Sequence, residues 1–447
     1  MADGAKSDDP ALQAQLDRIN ALSPGRDTLG LDRVTRLLER LGNPHLRLPP
    51  VFHVAGTNGK GSTCAYLRAC LEAAGLKAHV YTSPHLVRFN ERIRLAGRLI
   101  DDEALAGLLA EALDANGDEA ISFFEVTTAA AFLAFSRAPA DACVIEVGLG
   151  GRLDATNVVP APAIGGIAQL GVDHQAFLGD TLEEIAREKA GIAKPGTPVV
   201  LSRYADKILT VVADAVRTAG GMPLLRGDDW EAAAYDGHLH YRDGDGRLEL
   251  PLPRLAGQHQ LDNAGLAVAM LRHQRALAVP AAAIRAGLGW AEWPARMQRL
   301  ESGPLNALLP AGTALWLDGG HNPAAGRVIA DTLREQSQDG RPALMVLGML
   351  SNKDAAGFLK PFAGHLTAIY SVPVPDHECH SPQELAGVAR AHGLAAIAAA
   401  NVTDALIPIG RAAASDRPPP GRVAAARPAT TGTCRSSRPT PRPAPTA

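Results

Sequence analysis

The chain has 447 residues, of which 46% are hydrophobic and 20% are charged, so it is long enough for two globular cores. Its net charge of -3 gives no general attraction to nucleic acid or to anionic membranes, so the predicted partners are small molecules. Five scattered cysteines without a CxxC pair predict neither a disulfide framework nor a zinc site.

The N-terminal segment lacks the basic-then-apolar order of a signal peptide. No run of about 18 apolar residues follows it, so no membrane-spanning helix is predicted. We therefore expect a cytoplasmic protein. Because no coiled-coil heptads appear, we also expect a monomer.

In the first part of the chain, short β-rich runs alternate with longer helical patterns. This alternation is typical of a parallel sheet whose strands are joined by crossover helices, so an α/β domain is predicted. The predicted strands are residues 51–56, 78–83, 142–148, 163–170 and 197–202. Several of these runs end in glycine or serine, and ligands of such sheets bind at the carboxyl ends of the strands.

A phosphate-binding loop is predicted at the first of these strands. The segment HVAGTNGKGSTCAYLRACLEAAG places a strand, a glycine-rich loop and a helix in sequence. Glycines let the backbone amides face inward, Lys60 supplies charge to the β and γ phosphates, and Ser62 offers a hydroxyl to Mg²⁺. A glycine-rich turn with a chance lysine is the alternative. The residues predicted to bind ATP here are Gly56, Thr57, Asn58, Gly59, Lys60, Gly61 and Ser62.

Further along, residues 228–250 contain three DG pairs among alternating residues, which predicts a small antiparallel ribbon. A second series of strands and helices begins near residue 314 and predicts a smaller, Rossmann-like domain. Between the two series, tryptophans and a proline interrupt the helical pattern, so we place a hinge at residues 293–300. The predicted division into an N-terminal domain, a C-terminal domain and a tail is residues 1–295, 296–415 and 416–447.

The tail differs abruptly in composition from the rest. After Asp416 it has no acidic residue and is dominated by Arg, Pro, Ala, Thr and Ser. Such a segment buries too little apolar surface to order itself, so disorder is predicted.

The form of the glycine-rich loop resembles that of the Mur ligases, because Gly61 separates Lys60 from Ser62. Other motifs resemble the folylpolyglutamate synthase and dihydrofolate synthase branch of that superfamily. They are TSPHLVRFNERI (82–93), FFEVTTAAAF (123–132), IEVGLGGRLDATN (145–157), GVDHQAFLG (171–179), EKAGIAK (188–194), GQHQLDNA (257–264), WPARMQ (293–298), DGGHNP (318–323) and NKD (352–354).

The resemblance implies an ATP-dependent ligase that joins L-glutamate to dihydropteroate, forming dihydrofolate, and to folylpoly-γ-glutamates. A carboxylate and an amine do not condense in water, so ATP must first convert the acid into an acyl phosphate that the amine attacks. Two alternatives stay open: a Mur-type ligase for another acid, and a nucleotide-binding regulatory protein without turnover.

The predicted magnesium ligands are Ser62, Glu146 and His174, and two Mg²⁺ ions are expected. Glu146 lies inside an apolar strand, where an unpartnered carboxylate is costly, although a helix cap or an arginine pair is the alternative. For His174, which alone resembles a loop histidine, the metal role comes from the family. The resemblance also implies that Lys189 is carbamylated, whereas the sequence alone suggests a surface lysine. Lys60, His174 and Lys189 are the predicted catalytic residues.

Adenine and ribose contacts in the family come from both domains, which implies that the cleft closes over ATP. The corresponding residues here are Asn263, Arg296, Asp318 and His321. A hinge salt bridge is the alternative for Arg296. The family has glycine where this chain has Ala295 and alanine where it has Gly320.

Substrate contacts are also carried over from the family. An apolar slot with one carboxylate suits a pterin, and a TSPHL loop favours an enzyme that accepts dihydropteroate. Lys353 and Asp354 either meet the incoming amino acid or simply begin a helix. The predicted substrate-binding residues are Ser83, His85, Phe123, Phe124, Asp154, Lys353 and Asp354.

Family members end with a hydrophobic strand in the second domain, where this chain has its arginine- and proline-rich tail. We therefore expect a core strand to be missing. A divergent terminus and a frameshift in GC-rich DNA are both open explanations.

Overall fold

The structure is a computed structural model that describes residues 5–22, 29–336, 343–375, 377–414 and 422–426. Its first sheet has eight strands in the order β4-β3-β2-β5-β1-β6-β7-β8. Neighbouring strands from β2 to β8 in that order are parallel, and the β2–β3 and β3–β4 pairs are antiparallel. The strands are β1 (Val51–Ala55), β2 (Ala78–Tyr81), β3 (Ile93–Leu95), β4 (Arg98–Leu99), β5 (Ala142–Glu146), β6 (Ile164–Ile167), β7 (Pro198–Leu201) and β8 (Met222–Leu225). All five strands predicted from the sequence are confirmed.

Helices cover both faces of this sheet, which is why its central strands are buried along their whole length. Successive side chains of a strand point to opposite faces. Val51 therefore packs with α1, α4 and α5 on one side, and Phe52 packs with α3, α9 and α10 on the other. The helices of this part are α1 (Pro10–Leu22), α2 (Asp32–Arg40), α3 (Lys60–Ala73), α4 (Asp102–Asn116), α5 (Phe123–Arg137), α6 (Gln175–Leu178), α7 (Leu182–Ala190), α8 (Asp206–Thr218), α9 (His259–His273) and α10 (Ala281–Trp290).

The predicted antiparallel ribbon is present, with strands β9 (Trp230–Tyr235), β10 (His238–Asp243) and β11 (Gly246–Pro251). One face of the ribbon buries Trp230 and Tyr241 in the same core cluster as residues of α9. The ribbon thus extends the layer of helices next to the sheet.

A second, six-stranded sheet has the order β12-β13-β17-β14-β15-β16, and all its neighbours are parallel except β12 and β13. Its strands are β12 (Gln298–Leu300), β13 (Leu315–Asp318), β14 (Ala343–Leu347), β15 (Ala368–Ser371), β16 (Ala396–Ala398) and β17 (Arg422–Ala426). Its helices are α11 (Pro323–Gln336), α12 (Ala355–Leu359), α13 (Pro382–Ala391) and α14 (Val402–Ala414). The predicted α/β class with a smaller second sheet is confirmed. The exact domain boundaries at residues 295 and 415 stay a prediction.

The expectation of a missing core strand is wrong, because β17 lies in the centre of the second sheet. It pairs in parallel with β13 on one side and β14 on the other. In the overall composition of residues 416–447, this short strand is outweighed by the arginines and prolines around it. The two flanking strands supply backbone hydrogen-bond partners, which composition does not reveal. Residues 427–447 lie outside the described residues. Among the helices of the described residues, none is long and apolar enough to span a membrane.

Candidate active site

The phosphate-binding loop joins the buried strand β1 to α3. Gly59 has φ +84° and caps α3, and a Cβ there would collide with the side chain of Asn263, so only glycine fits. The amides of Thr57 and Asn58 donate to the Gln169 carbonyl at 2.8 and 3.1 Å, which fixes the loop to the end of β6. The loop and the start of α3 line a pocket of about 130 Å³, which we call the phosphate pocket.

Two lysines share one backbone acceptor in this loop. Lys60 Nζ donates to the carbonyls of Gly56 and Thr57 at 3.0 and 3.3 Å, and Lys189 Nζ donates to the Gly56 carbonyl at 3.1 Å. Lys189 is only 4% exposed, so the expectation of a surface lysine is wrong. Burial, and then the neighbouring charge of Lys60, lowers the pKa of Lys189 to about 7. In a large fraction of the molecules, the Lys189 amine is therefore neutral at physiological pH.

Ser62 and Asn263 are buried beside the loop and are linked through a third residue. Gln260 Nε2 donates to Ser62 Oγ at 3.3 Å, and Asn263 Nδ2 donates to Gln260 Oε1 at 3.0 Å. The Gln260 amide thus joins α3 to α9 and fixes the position of the Ser62 hydroxyl.

Glu146 ends β5 at the wall of the phosphate pocket and is 4% exposed. Burial raises the pKa of its carboxyl group, while the charges of Lys60 and Arg296 oppose that shift. Ser83 donates its amide to Glu146 Oε2 at 3.2 Å. Within the described residues Glu146 neither caps a helix nor forms an ion pair with arginine, which leaves it able to face a cation.

His174 lies on the same side of the sheet, in the loop after β6, with a left-handed φ of 55°. Burial lowers the pKa of His174 to about 4, helped by Lys353 and Lys60 and opposed by Asp173. The imidazole is therefore neutral at physiological pH and has a lone pair for a metal ion.

Asp173, which sequence reasoning missed, connects this loop to the second sheet. Its carboxylate lies 2.9 Å from Lys353 Nζ, 3.3 Å from Asn322 Nδ2 and 3.7 Å from His321 Nε2. Asn322, also missed, donates to Asn58 Oδ1 of the phosphate loop at 3.0 Å. Both residues stand inside motifs quoted above, next to the histidines that drew attention instead. Burial favours a raised pKa for Asp173, but His321, His174 and Lys353 hold it well below its usual range.

A larger pocket of about 290 Å³, the acid pocket, opens beside the phosphate pocket. Ser122 begins α5 with a capping box to Glu125, which places Phe123 and Phe124 at the start of the helix and on the pocket wall. Asp154 also lines it. The Asp154 carboxylate accepts from Leu149 N at 2.7 Å through Oδ2, and from the amide and hydroxyl of Thr156 through Oδ1.

His85 was expected to contact substrate, but it lies behind the wall of the acid pocket. It accepts a hydrogen bond from Arg92 Nε at 3.0 Å, and Arg92 lines the pocket instead. The Arg92 guanidinium is 5.5 and 5.6 Å from the ring centroids of Phe89 and Phe123. Nothing in the sequence distinguishes this buried arginine from surface ones.

Lys353 and Asp354 line a third pocket, of about 280 Å³, which we call the amine pocket. Asp354 caps α12 by accepting from Gly357 N at 2.8 Å, whereas Lys353 reaches across the cleft to Asp173. Asp354 thus begins a helix, whereas Lys353 lies in the cleft where the incoming amino acid is expected.

At the hinge, Arg296 lines the phosphate pocket between Ala295 and Met297, which have positive φ angles of 54° and 40°. Asp318 accepts from Met297 N at 2.8 Å and from Gly320 N at 2.7 Å, so its two oxygens fix the hinge. Burial raises the pKa of Asp318.

The phosphate, acid and amine pockets meet at two histidines. His174 and His321 line all three of them. His321 was expected with the adenine and ribose contacts, and the structure places it at this junction. Three compartments with one common point suit a reaction between three substrates.

Comparisons with known proteins identify the family of this chain. The Mur ligase middle domain family matches residues 54–271. The dihydrofolate synthase/folylpolyglutamate synthase of Escherichia coli strain K12 is 39% identical over 334 residues, which is 74% of this chain and 74% of that protein. The chain belongs to the dihydrofolate synthase/folylpolyglutamate synthase family. Members of this family are ATP-dependent ligases, which accounts for the phosphate-binding loop.

Solved structures of the family share the whole fold. Escherichia coli FolC in complex with DHPP and ADP matches with a TM-score of 0.82 and 34% identity, over 93% of this chain and 94% of that one. The Yersinia pestis bifunctional synthase complexed with AMPPNP and a Mn ion matches with a TM-score of 0.81 and 33% identity, over 93% and 95% of the chains.

Proposed function

We propose that this chain uses ATP to join L-glutamate to dihydropteroate, forming dihydrofolate, and to extend folylpoly-γ-glutamates. The observation that carries the proposal is the meeting of the phosphate, acid and amine pockets at His174 and His321. Holding three reactants in line contributes about 7 to 11 kcal/mol to such a step.

The reaction takes place in two steps at this junction. A carboxylate oxygen of the acid attacks the γ-phosphorus of ATP, and the bond from that phosphorus to the β–γ bridging oxygen breaks. ADP is the leaving group, and the acid becomes an acyl phosphate. The glutamate nitrogen then attacks the acyl carbon and phosphate departs. Of the two protons that the ammonium loses, one goes to phosphate and one to water. Lys60 and the first turn of α3 neutralise phosphate charge during both steps.

The donor set beside the loop fits Mg²⁺, and we propose two ions held by Ser62, Glu146 and His174. Glu146 is a buried carboxylate without an ion-pair partner in the described residues, and His174 is a neutral imidazole. The described residues contain no group of three His, Cys, Asp or Glu side chains that holds a metal alone, so phosphate oxygens and water complete the coordination. Bound there, Mg²⁺ supplies positive charge to the phosphoryl group.

We also propose that Lys189 is carbamylated. A neutral amine reacts with CO₂ to give a carbamate and a proton, and the low pKa of Lys189 provides that amine. The product is an anion beside Lys60, because both lysines reach the Gly56 carbonyl. Carbamylation thus replaces a cation–cation contact with an attractive one.

The acid pocket suits the pterin ring of dihydropteroate. Phe123 and Phe124 give an aromatic wall, and Asp154 Oδ2 accepts a single hydrogen bond from Leu149, which leaves a lone pair for a ring N–H donor. Ser83 and Pro84 line both this pocket and the phosphate pocket, so an acid bound here presents its carboxylate toward ATP.

On the nucleotide side, we propose Arg296 as the direct contact from the hinge, with Asn263 and Asp318 holding the surrounding backbone and side chains. Glutamate enters the amine pocket beside Lys353.

The described cysteines Cys64, Cys70, Cys143 and Cys379 are unpaired, which supports a reducing compartment such as the cytoplasm. We also propose that the enzyme acts as a monomer.

Phosphate release from ATP tests the proposal. The full-length protein is assayed with Mg²⁺ and glutamate plus dihydropteroate, tetrahydrofolate or no acid, and product masses are read in parallel. We expect a mass gain of one glutamyl unit on both acids and only background release without acid. Turnover of a different acid in place of these two would contradict the substrate assignment, and no turnover with any acid would contradict the ligase.

A further inference from the structure

Asp173 lies where the phosphate pocket meets the amine pocket, and it lines both. Its side chain is 13% exposed, so its charge is largely removed from water. None of the roles proposed above for the phosphate loop or the hinge involves Asp173. A mostly buried carboxylate at that point needs a cationic partner at every stage of the reaction.

In this structure the partner is Lys353, whose Nζ lies 2.9 Å from Asp173 Oδ1. Lys353 is itself only 11% exposed and belongs to the second sheet's side of the cleft. Asn322 Nδ2 approaches the other oxygen at 3.3 Å, and the His174 amide donates to Oδ1 at 2.9 Å. The carboxylate is thus fixed in orientation by the Asn322 and His174 donors and lies 3.7 Å from His321 Nε2, while the ammonium of Lys353 sits on a flexible four-carbon stem.

The proposed reaction brings a second ammonium group to the same place. Glutamate enters the amine pocket with its α-ammonium leading toward the acyl phosphate, and the path passes Asp173, which lines both compartments. The two carboxylates of glutamate meanwhile need a cation of their own. Exchange of one ammonium for another leaves Asp173 paired throughout and releases Lys353 for a carboxylate of glutamate.

Resting on the proposed function, we infer that Asp173 binds the α-ammonium of the incoming glutamate and aims its nitrogen at the acyl carbon. Lys353 occupies this position in the empty cleft and turns to a glutamate carboxylate when the amino acid arrives. Asp173 thereby selects an amino acid over a dicarboxylic acid of the same length.

Asp173→Asn tests this role, because it preserves shape and removes the charge. We expect the KM for glutamate to rise about tenfold or more, as for loss of a charged hydrogen bond. Glutarate, which is glutamate without its amine, draws Lys353 away from Asp173 without supplying an ammonium in exchange, so its inhibition constant should fall in the variant and not rise. Asp173→Glu should recover part of the glutamate affinity. Asp331→Asn, which breaks an exposed pair with Arg334 on α11, is the matched control and should change neither constant.

Hydroxylamine provides a readout that bypasses the amino-acid site. It traps the acyl phosphate as a hydroxamate, so Asp173→Asn should form hydroxamate from dihydropteroate and ATP at nearly the wild-type rate. Equal loss of hydroxamate and amide formation would overturn the inference in favour of a structural role. A raised Mg²⁺ requirement for hydroxamate formation would overturn it in favour of a metal role. If the wild-type protein itself forms no hydroxamate, the result counts against the proposed function. A loss of hydroxamate in the variant alone counts against the role of Asp173.

Discussion

The two sheets contribute to the site in different ways. Residues on the side of the first sheet are buried and fixed by contacts within that half: Glu146 ends a strand, and Lys189 of α7 is hydrogen-bonded to the phosphate loop. Residues from the second sheet are fixed mainly by contacts across the cleft, as Lys353 is by Asp173 and Asn322 is by Asn58. The first half is therefore preorganised, and we expect the second half to complete the site only when the cleft is closed.

Lys60→Met attacks the preorganised half and has the largest expected effect. The side chain supplies the positive charge of the phosphate pocket, so kcat for amide formation should fall about a thousandfold. Amide formation is followed by product mass with dihydropteroate as the acid. Lys77→Met, on the surface before β2, is the control. Activity within tenfold of wild type would contradict the assignment of Lys60.

Lys189→Met tests whether burial shapes this half. The pKa of Lys189 is about 7 in the folded chain against an ordinary 10.5, so the unfolded chain binds more protons between those pH values. Through this group, the free energy of unfolding of the wild type rises with pH across that window and is lowest at pH 7 and below. The variant lacks this rise, so its stability relative to wild type should decline by up to about 1.4 kcal/mol per pH unit from pH 7 upward.

Urea unfolding in CO₂-free buffer measures this difference. Lys207→Met removes a lysine whose side chain is 80% exposed and should show no such slope relative to wild type. With CO₂ present, ¹³C-labelled bicarbonate should give a carbamate signal in wild type that Lys189→Met lacks. Parallel stability curves for wild type and Lys189→Met would contradict a buried lysine.

Asn322→Ala tests the half that depends on closure. It removes the hydrogen bond to Asn58 and one donor to Asp173, so closure should weaken and the KM for ATP should rise about fivefold. Solution scattering should show a larger radius of gyration with ATP bound than the wild type has. Asn401→Ala, at the exposed start of α14, should leave both unchanged. An unchanged KM for ATP would show that this contact does not contribute to closure.

Ala295→Gly is the smallest predicted change and acts at the hinge between the halves. Ala295 has φ 54°, which costs an L-residue roughly 1–2 kcal/mol and which glycine adopts freely. The lost methyl is buried and offsets part of the gain, so we expect stabilisation of about 0.5 kcal/mol by thermal unfolding. Destabilisation would mean that methyl packing outweighs the backbone strain.

The sequence predicted the preorganised half better than the half that depends on closure. Strand runs and the glycine loop are local patterns, so the first sheet and the positions of Lys60 and Glu146 followed from them. The roles of Asp173 and Asn322 depend on partners more than a hundred residues away in the chain, which no local pattern reports. Lys189 looked exposed because its helix is polar, and only the packing of that helix on the loop shows the burial.

The tail shows the same limit in the opposite direction. Composition predicted disorder for residues 416–447, but a strand partner on each side orders residues 422–426. Pairing with distant strands decided the outcome, and composition contains no information on it.

The position of β17 has a consequence for biosynthesis. A ribosome releases the first sheet before residues 422–426 emerge, and in the described part of the second sheet β13 and β14 each pair with β17 and not with one another. During translation the nascent chain therefore carries a finished phosphate loop beside a split second sheet. We expect His321 and Lys353, which follow β13 and β14, to reach their places only after β17 inserts. We therefore expect the growing polypeptide to have no ligase activity before residues 422–426 have paired with both strands.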